Sequence, residues 1–88
     1  MIIKYHKKFL KDLSIIPSSD RTIIEQFVFE DIQKFDTLYA VKKFEQMRGY
    51  TSYYKVRFGS YRVGVKFEND VLTFERILHR KEIYRFFP

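Results

Sequence analysis

The sequence predicts an α+β fold in which an N-terminal strand and a helical hairpin pack on one face of a small, mainly antiparallel sheet. Three observations carry that prediction. The first half holds two apolar stripes at helical spacing, the second half alternates apolar and polar residues, and a Gly-Ser pair interrupts that alternation. The element order is β-α-α-β-β-β with a short C-terminal helix or ordered tail, and 88 residues make it one domain, residues 1–88.

Ile2 to Tyr5 reads as the first strand. From His6 to Ile16, the residues Phe9, Leu10, Leu13 and Ile16 repeat along one helical face, with Lys7, Lys8, Lys11 and Asp12 turned to water. Pro17-Ser18-Ser19-Asp20 stops that helix and supplies start residues for a second, from about Arg21 to Lys34. Its stripe is Ile24, Phe27, Val28 and Ile32, with Phe35 at the end, and the pair forms a helical hairpin. Between Phe35 and Gly49 the sequence predicts no more than a short helical turn at Leu38, Val41 and Phe44. Gly49 then lets the chain turn into the sheet. Tyr54, Val56 and Phe58 alternate with Lys55 and Arg57, and Tyr61, Val63, Val65 and Phe67 alternate with Arg62, Gly64 and Lys66. Gly59-Ser60 suits a two-residue type II′ turn between the two strands. Glu68-Asn69-Asp70 makes a second turn, Val71 to Leu78 a last strand, and His79 to Phe87 the helix or tail.

Composition narrows the chemistry. There is no cysteine, which removes disulfides, thiolate catalysis and cysteine-type zinc sites and fits a cytoplasmic location. His6 and His79 lie far apart, without metal-ligand spacing, so neither metal nor cofactor is expected. No apolar run approaches the roughly 20 residues that span a bilayer, and the lysine-rich start lacks a signal-peptide core. The expectation is a soluble, unprocessed protein without a membrane partner. Its formal charge of +6 on so small a surface attracts polyanions. From Lys42 to Lys66 the chain carries Lys42, Lys43, Arg48, Lys55, Arg57, Arg62 and Lys66 against one acid, Glu45.

The hairpin turn fixes where those charges go. A two-residue loop at Gly59-Ser60 sets Phe58 opposite Tyr61, Arg57 opposite Arg62, Val56 opposite Val63 and Lys55 opposite Gly64. Facing like charges are unfavourable in a sheet. Folding therefore has no use for this pair, whereas a phosphate or carboxylate does, because guanidinium groups hold such ions in a fork of two hydrogen bonds. Tyr54, Val56, Phe58, Tyr61, Val63, Val65 and Phe67 form the opposite, helix-covered face. The expected front is an unneutralised cationic cluster, with open backbone at Gly64. Immediately after the last strand, His79-Arg80-Lys81-Glu82-Ile83-Tyr84-Arg85 adds an imidazole, three cations and a phenol as the rim of a site.

Met47-Arg48-Gly49, the hairpin Tyr53-Tyr54-Lys55-Val56-Arg57-Phe58-Gly59-Ser60-Tyr61-Arg62-Val63 and the ending His79-Arg80-Lys81-Glu82-Ile83-Tyr84-Arg85 resemble the RelE/ParE toxin superfamily. The resemblance covers nearly the whole chain, including the N-terminal strand and helix pair. It departs at Gly64-Val65-Lys66, where the family has bulkier residues, and at Arg76 within the last strand.

The resemblance implies a RelE-like toxin of a toxin–antitoxin pair: a metal-independent endoribonuclease that cuts messenger RNA in the ribosomal A site and is neutralised by a cognate antitoxin. By position, Lys55, Arg57, Arg62, Arg80 and Tyr84 match the family's basic and tyrosine residues, and His79 stands where several relatives have His. The reaction it implies is attack of a ribose 2′-OH on the adjacent phosphate. That step needs a base, charge stabilisation and an acid. Arg57, Arg62 and Arg80 suit the phosphate, and Lys55, His79 and Tyr84 are left to share proton transfer. Lys42, Lys43, Arg48, Lys66, Lys81 and Arg85 are expected to grip RNA or ribosome. An acidic antitoxin segment that folds on binding is the expected protein partner, and operator DNA would be reached through it. Two other readings stay open: a ParE-like gyrase inhibitor without nuclease chemistry, and a non-catalytic RNA- or ribosome-binding module.

Overall fold

The computed structural model describes all residues, Met1–Pro88. Five strands form one sheet in the order β1-β5-β4-β3-β2, with β1 (Ile2–Tyr5) parallel to β5 (Val71–His79) and the other pairs antiparallel. The α+β class and mainly antiparallel sheet are as the sequence predicts. Strand β2 (Glu45–Gln46) is additional, pairing Glu45 with Lys55 and Gln46 with Tyr54 of β3 (Tyr53–Phe58).

Helix α1 (Lys7–Ser14) begins one residue later than the stripe predicts. His6 is its cap: the backbone there is extended, and the imidazole Nδ1 accepts from the Lys8 amide at 3.0 Å. Helix α2 starts earlier, at Ser18 directly after Pro17, and runs to Glu25. The chain then continues through a π-helical stretch, Gln26–Glu30, and a 3-10 turn, Asp31–Lys34. A change of helical pitch leaves carbonyls in need of other donors. The Tyr5 hydroxyl donates to the Val28 carbonyl at 2.6 Å, tying β1 to this stretch.

The helices cover one face. Phe9, Leu13, Ile16, Ile24, Phe27, Val28 and Ile32 are buried against Tyr54, Val56, Val63, Val65, Leu72, Phe74 and Ile77. At its centre Tyr5 stacks on Phe74 with ring centroids 5.3 Å apart, and Phe9 tilts against Phe74 at 5.4 Å. Leu10, assigned to this stripe by its spacing, is exposed. Asp12, assigned to water, is half-buried. Its carboxylate accepts from Arg76 Nε at 2.8 Å and Nη2 at 3.2 Å, and from the Ile77 amide at 2.9 Å. Strand β1 pairs with β5 only as far as Phe74, so this amide would otherwise sit on a bare sheet edge. That ion pair accounts for Arg76 inside a strand, and the carboxylate pushes the guanidinium pKa up.

Between β3 and β4 (Tyr61–Glu68) the register is the one read from the turn, with Arg57 facing Arg62 and Lys55 facing Gly64. Gly59 has φ +56, as the first position of such a turn requires. Asn69 and Asp70 both have positive φ and close the β4–β5 hairpin. Strand β5 carries a bulge: Val65 pairs with Phe74 but Gly64 pairs with Arg76, which leaves Glu75 unmatched.

The other face is not open. After β5 the chain folds back as α3 (Ile83–Phe86), and Ile83 and Phe87 join Met47 in a second small cluster over Tyr53 and Leu78. The Phe87 ring lies on Gly64, so close that a Cβ there would come within 2.7 Å of it. Gly64 thus leaves room for the tail, correcting the expectation of free backbone. No helix is long and apolar enough to cross a membrane.

Candidate functional site

Side chains of one strand alternate between faces, so Tyr53, Lys55 and Arg57 of β3 share the α3 side with Arg62 and Lys66 of β4. Lys55 is the sole polar or charged residue among the 21 buried ones. It takes part in none of the five ion pairs. Instead its ammonium lies over the Tyr84 ring, 4.9 Å from the centroid. Tyr84 itself is 69% exposed, reaching Lys55 from α3. The two residues, with Gln46 and Arg48, line a cleft of about 440 Å³. Folding alone does not call for a lysine at this covered position with no carboxylate paired to it.

The arginines lie toward the hairpin turn. Arg57 is paired with Glu45, Nε to Oε1 at 2.9 Å, so the cluster is partly neutralised, contrary to expectation. Strand β2, missing from the predicted order, supplies this acid. Arg62 Nη1 donates to the carbonyls of Gly59 at 2.7 Å and Tyr61 at 3.0 Å. The Arg80 amide donates to the Ser60 carbonyl at 2.8 Å, which pins the start of the tail to the turn, and its side chain is exposed. Lys55, Arg57, Arg62 and Tyr84 are thus brought to one face, with Arg80 at its rim.

His79 goes to the other side. It pairs with Tyr61 across the β4–β5 ladder and meets the Tyr61 ring edge-on at 6.0 Å, on the helix-covered side, while Leu78 opposes Arg62. The bulge at Glu75 causes this, since one extra residue moves every following side chain to the opposite face. The sequence does carry a sign of it: the apolar spacing Leu72, Phe74, Ile77 widens from two to three.

The remaining cations are dispersed. Arg48 borders the Lys55 cleft. Lys66 lies 5.8 Å from the Tyr53 ring centroid and 3.8 Å from Glu68. Lys42 and Lys43 line a separate cavity with Phe27 and Phe35, beside the helices. Lys81 and Arg85 are exposed on the tail, the Lys81 amide donating to His79 Nδ1 and the Arg85 guanidinium lying over Phe86. Glu45 and Gln46, which border the site, were missed because two exposed residues carry no periodicity. No three His, Asp or Glu side chains come close enough to share a metal ion. The site offers several cations, the Tyr84 phenol beside Lys55 and one carboxylate paired with Arg57.

Residues 3–84 match the family model of the ParE toxin of type II toxin–antitoxin systems. The chain belongs to the RelE/ParE toxin superfamily. It is 37% identical to toxin RelE3 of Methanocaldococcus jannaschii over 89 residues, covering 100% of both chains. The toxin's fold also matches solved structures. The RelB–RelE antitoxin–toxin complex of Methanococcus jannaschii gives a TM-score of 0.78 at 36% identity, covering 97% of this chain and 99% of the matched one. YafQ of E. coli gives 0.70 at 20% identity, covering 93% and 96%, a likeness of fold alone. The toxin is therefore a RelE-family member of a type II toxin–antitoxin system, with Lys55 and Tyr84 in contact on its basic face.

Proposed function

We propose that the protein is a ribosome-dependent messenger RNA endonuclease that cuts in the ribosomal A site. The observation that carries the reading is the buried, carboxylate-free Lys55, its ammonium against the Tyr84 ring on the face that also bears Arg57 and Arg62. An aligned 2′-hydroxyl attacks the adjacent phosphorus, a pentavalent dianion forms, and the 5′-oxygen leaves. The products are a 2′,3′-cyclic phosphate and a 5′-hydroxyl. Arg57, Arg62 and Arg80 neutralise the growing negative charge, since fixed cations act most strongly where charge develops. For Arg57 this requires exchange of the Glu45 carboxylate for a phosphate oxygen. Lys55 and Tyr84 share proton transfer, one accepting the 2′-hydroxyl proton and the other supplying one to the leaving oxygen. His79, on the other side of the sheet, has no part in this scheme.

The relatives crystallised as RelB–RelE complexes support a cognate antitoxin for this protein too. The basic face is suited to an acidic segment that orders as it binds and occupies the phosphate positions. This reading has the protein acting among ribosomes in the cytoplasm. The match to a ParE model favours one rival, a gyrase inhibitor without nuclease chemistry.

Primer extension on translated messages separates the two. Discrete A-site cuts that vanish in Lys55→Ala and weaken in Arg62→Ala and Arg80→Ala are expected. Cuts that survive both arginine changes would overturn the scheme, and trapped gyrase–DNA breaks without RNA cuts would favour the rival.

A further inference from the structure

One step along β3 from Lys55 lies a second cleft that the cleavage scheme leaves unused. Its volume is about 400 Å³, and its walls include Tyr50, Ser52, Tyr53, Lys66 and Glu68. We propose that this cleft is a nucleobase subsite, holding the single-stranded ribonucleotide next to the cut phosphate. The proposal rests on the nuclease reading and deepens it, because it names the residues that sense which codon is cut.

Recognition of an unpaired base takes a flat aromatic surface and a set of donors and acceptors for its edge. Tyr50 and Tyr53 meet edge to face, centroids 5.7 Å apart at 83°. Phe87 holds Tyr53 from a second direction at 5.6 Å, so the inner ring is fixed. Tyr50, 47% exposed, is the outer ring. The polar wall is organised as well: Ser52 Oγ donates to Glu68 Oε2 at 3.1 Å, while Glu68 Oε1 is 3.8 Å from the Lys66 ammonium. Carboxylate and hydroxyl oxygens provide acceptors, and the Lys66 ammonium provides donors, beside the rings.

A lone exposed tyrosine would need no function. Here its neighbours place it in register with the reaction centre. Tyr53 and Lys55 are two residues apart on one face, about 6.8 Å along the strand, the length of one nucleotide in an extended chain. The face then reads in sequence from the start of β3 toward the turn: aromatic cleft, Lys55 with Tyr84, then Arg57 and Arg62. Such a track takes single-stranded RNA, since each base has a ring to stack and each phosphate a cation to meet.

The test uses ribosomes programmed with a message carrying 2-aminopurine at each A-site position in turn, its 2′-hydroxyls blocked by methylation. With the wild-type toxin, stacking should quench fluorescence at one position. Tyr50→Phe should keep that quench, and Tyr50→Ala should lose it. On unblocked messages, Tyr50→Ala should cut the preferred codons at least about fivefold less well, the low end for loss of one base–aromatic stack, and so flatten codon preference. Circular dichroism of Tyr50→Ala should match the wild type, because the ring is on the surface. If Tyr50→Ala quenches and cuts as the wild type does, the subsite is wrong and the nuclease reading survives. If the wild type itself makes no cuts, the nuclease reading fails and takes the subsite with it.

Discussion

The two faces of the sheet are built from alternate residues of the same strands, yet they solve opposite problems. On one, Val56, Val63, Val65, Leu72 and Phe74 are almost wholly buried beneath two helices, and the polar contacts that join them are few and complete. On the other, a three-residue cluster and the short helix α3 cover a buried lysine, and a pair of facing arginines lies beside it. The first face supplies stability. The second covers the Lys55 chain and leaves Arg57 open to water beside Glu45, and the contrast separates what folding requires from what chemistry requires.

The largest effect should come from the first face. Phe74→Ala removes the ring that stacks on Tyr5 and meets Phe9, and nothing can collapse into the space under a strand between two others. A loss of about 3–5 kcal/mol is expected, much of the total for so small a domain. Urea unfolding measures it. A loss under about 1 kcal/mol would mean that the helical face is not the source of stability.

Lys55→Met should reverse the pattern on the second face. RNA cleavage should fall by about 10²–10³-fold, the scale of losing an acid–base group, while the melting temperature holds or rises because a buried unpaired charge is replaced by an apolar chain of similar length. Paired activity and thermal-melt measurements test both halves. A clear fall in melting temperature would show that Lys55 supports the fold, and the contrast between the faces would be lost.

The first face was legible because burial imposes a period. Ile24, Phe27, Val28 and Ile32 announce a helix, and Val56, Val63 and Val65 a strand, since only those spacings bring apolar groups to one side. The arginine pair was legible for a related reason: Gly59-Ser60 fixes the register, and the register fixes who faces whom. What escaped depends on contacts distant in sequence. Asp12 meets Ile77, 65 positions away, only because β1 ends at Tyr5 and bares that edge. Lys55 is buried by a tail whose packing is set by Gly64, and no local pattern reveals that Phe87 lands there. His79 changed faces through one bulged residue, a shift that alternation alone cannot register.

Gly64 joins the two faces, and Gly64→Ala should sharpen the comparison at moderate size. The new methyl would lie 2.7 Å from the Phe87 ring, so the tail must lift while the helical face stays as it was. A destabilisation of about 1–3 kcal/mol is expected, typical of overpacking. Amide exchange should quicken at Phe87, whose N–H bonds to Ile83, and remain slow in β4 and β5. Cleavage should fall because Tyr84 travels with the tail. Uniformly faster exchange would mean that the tail is part of the main core rather than a cover for the site.

The smallest effect is a test by pH. Burial pushes the phenols of Tyr5 and Tyr54 above their usual range, and both belong to the helix-covered face. Unfolded tyrosines lose their protons near pH 10, so above that point the unfolded state binds fewer protons than the native state, and stability falls as pH rises. Their contribution is complete below pH 10 and disappears as pH climbs through the native values. Tyr5→Phe should cost about 1 kcal/mol at neutral pH through loss of the hydrogen bond to Val28, yet decline less steeply in alkali, so that the two stability curves converge. Denaturant melts from pH 7 to 11 would reveal this. Parallel curves would mean that the Tyr5 phenol ionises alike in the folded and unfolded chain, and that the ring is less deeply covered by the helices than its stacking on Phe74 implies.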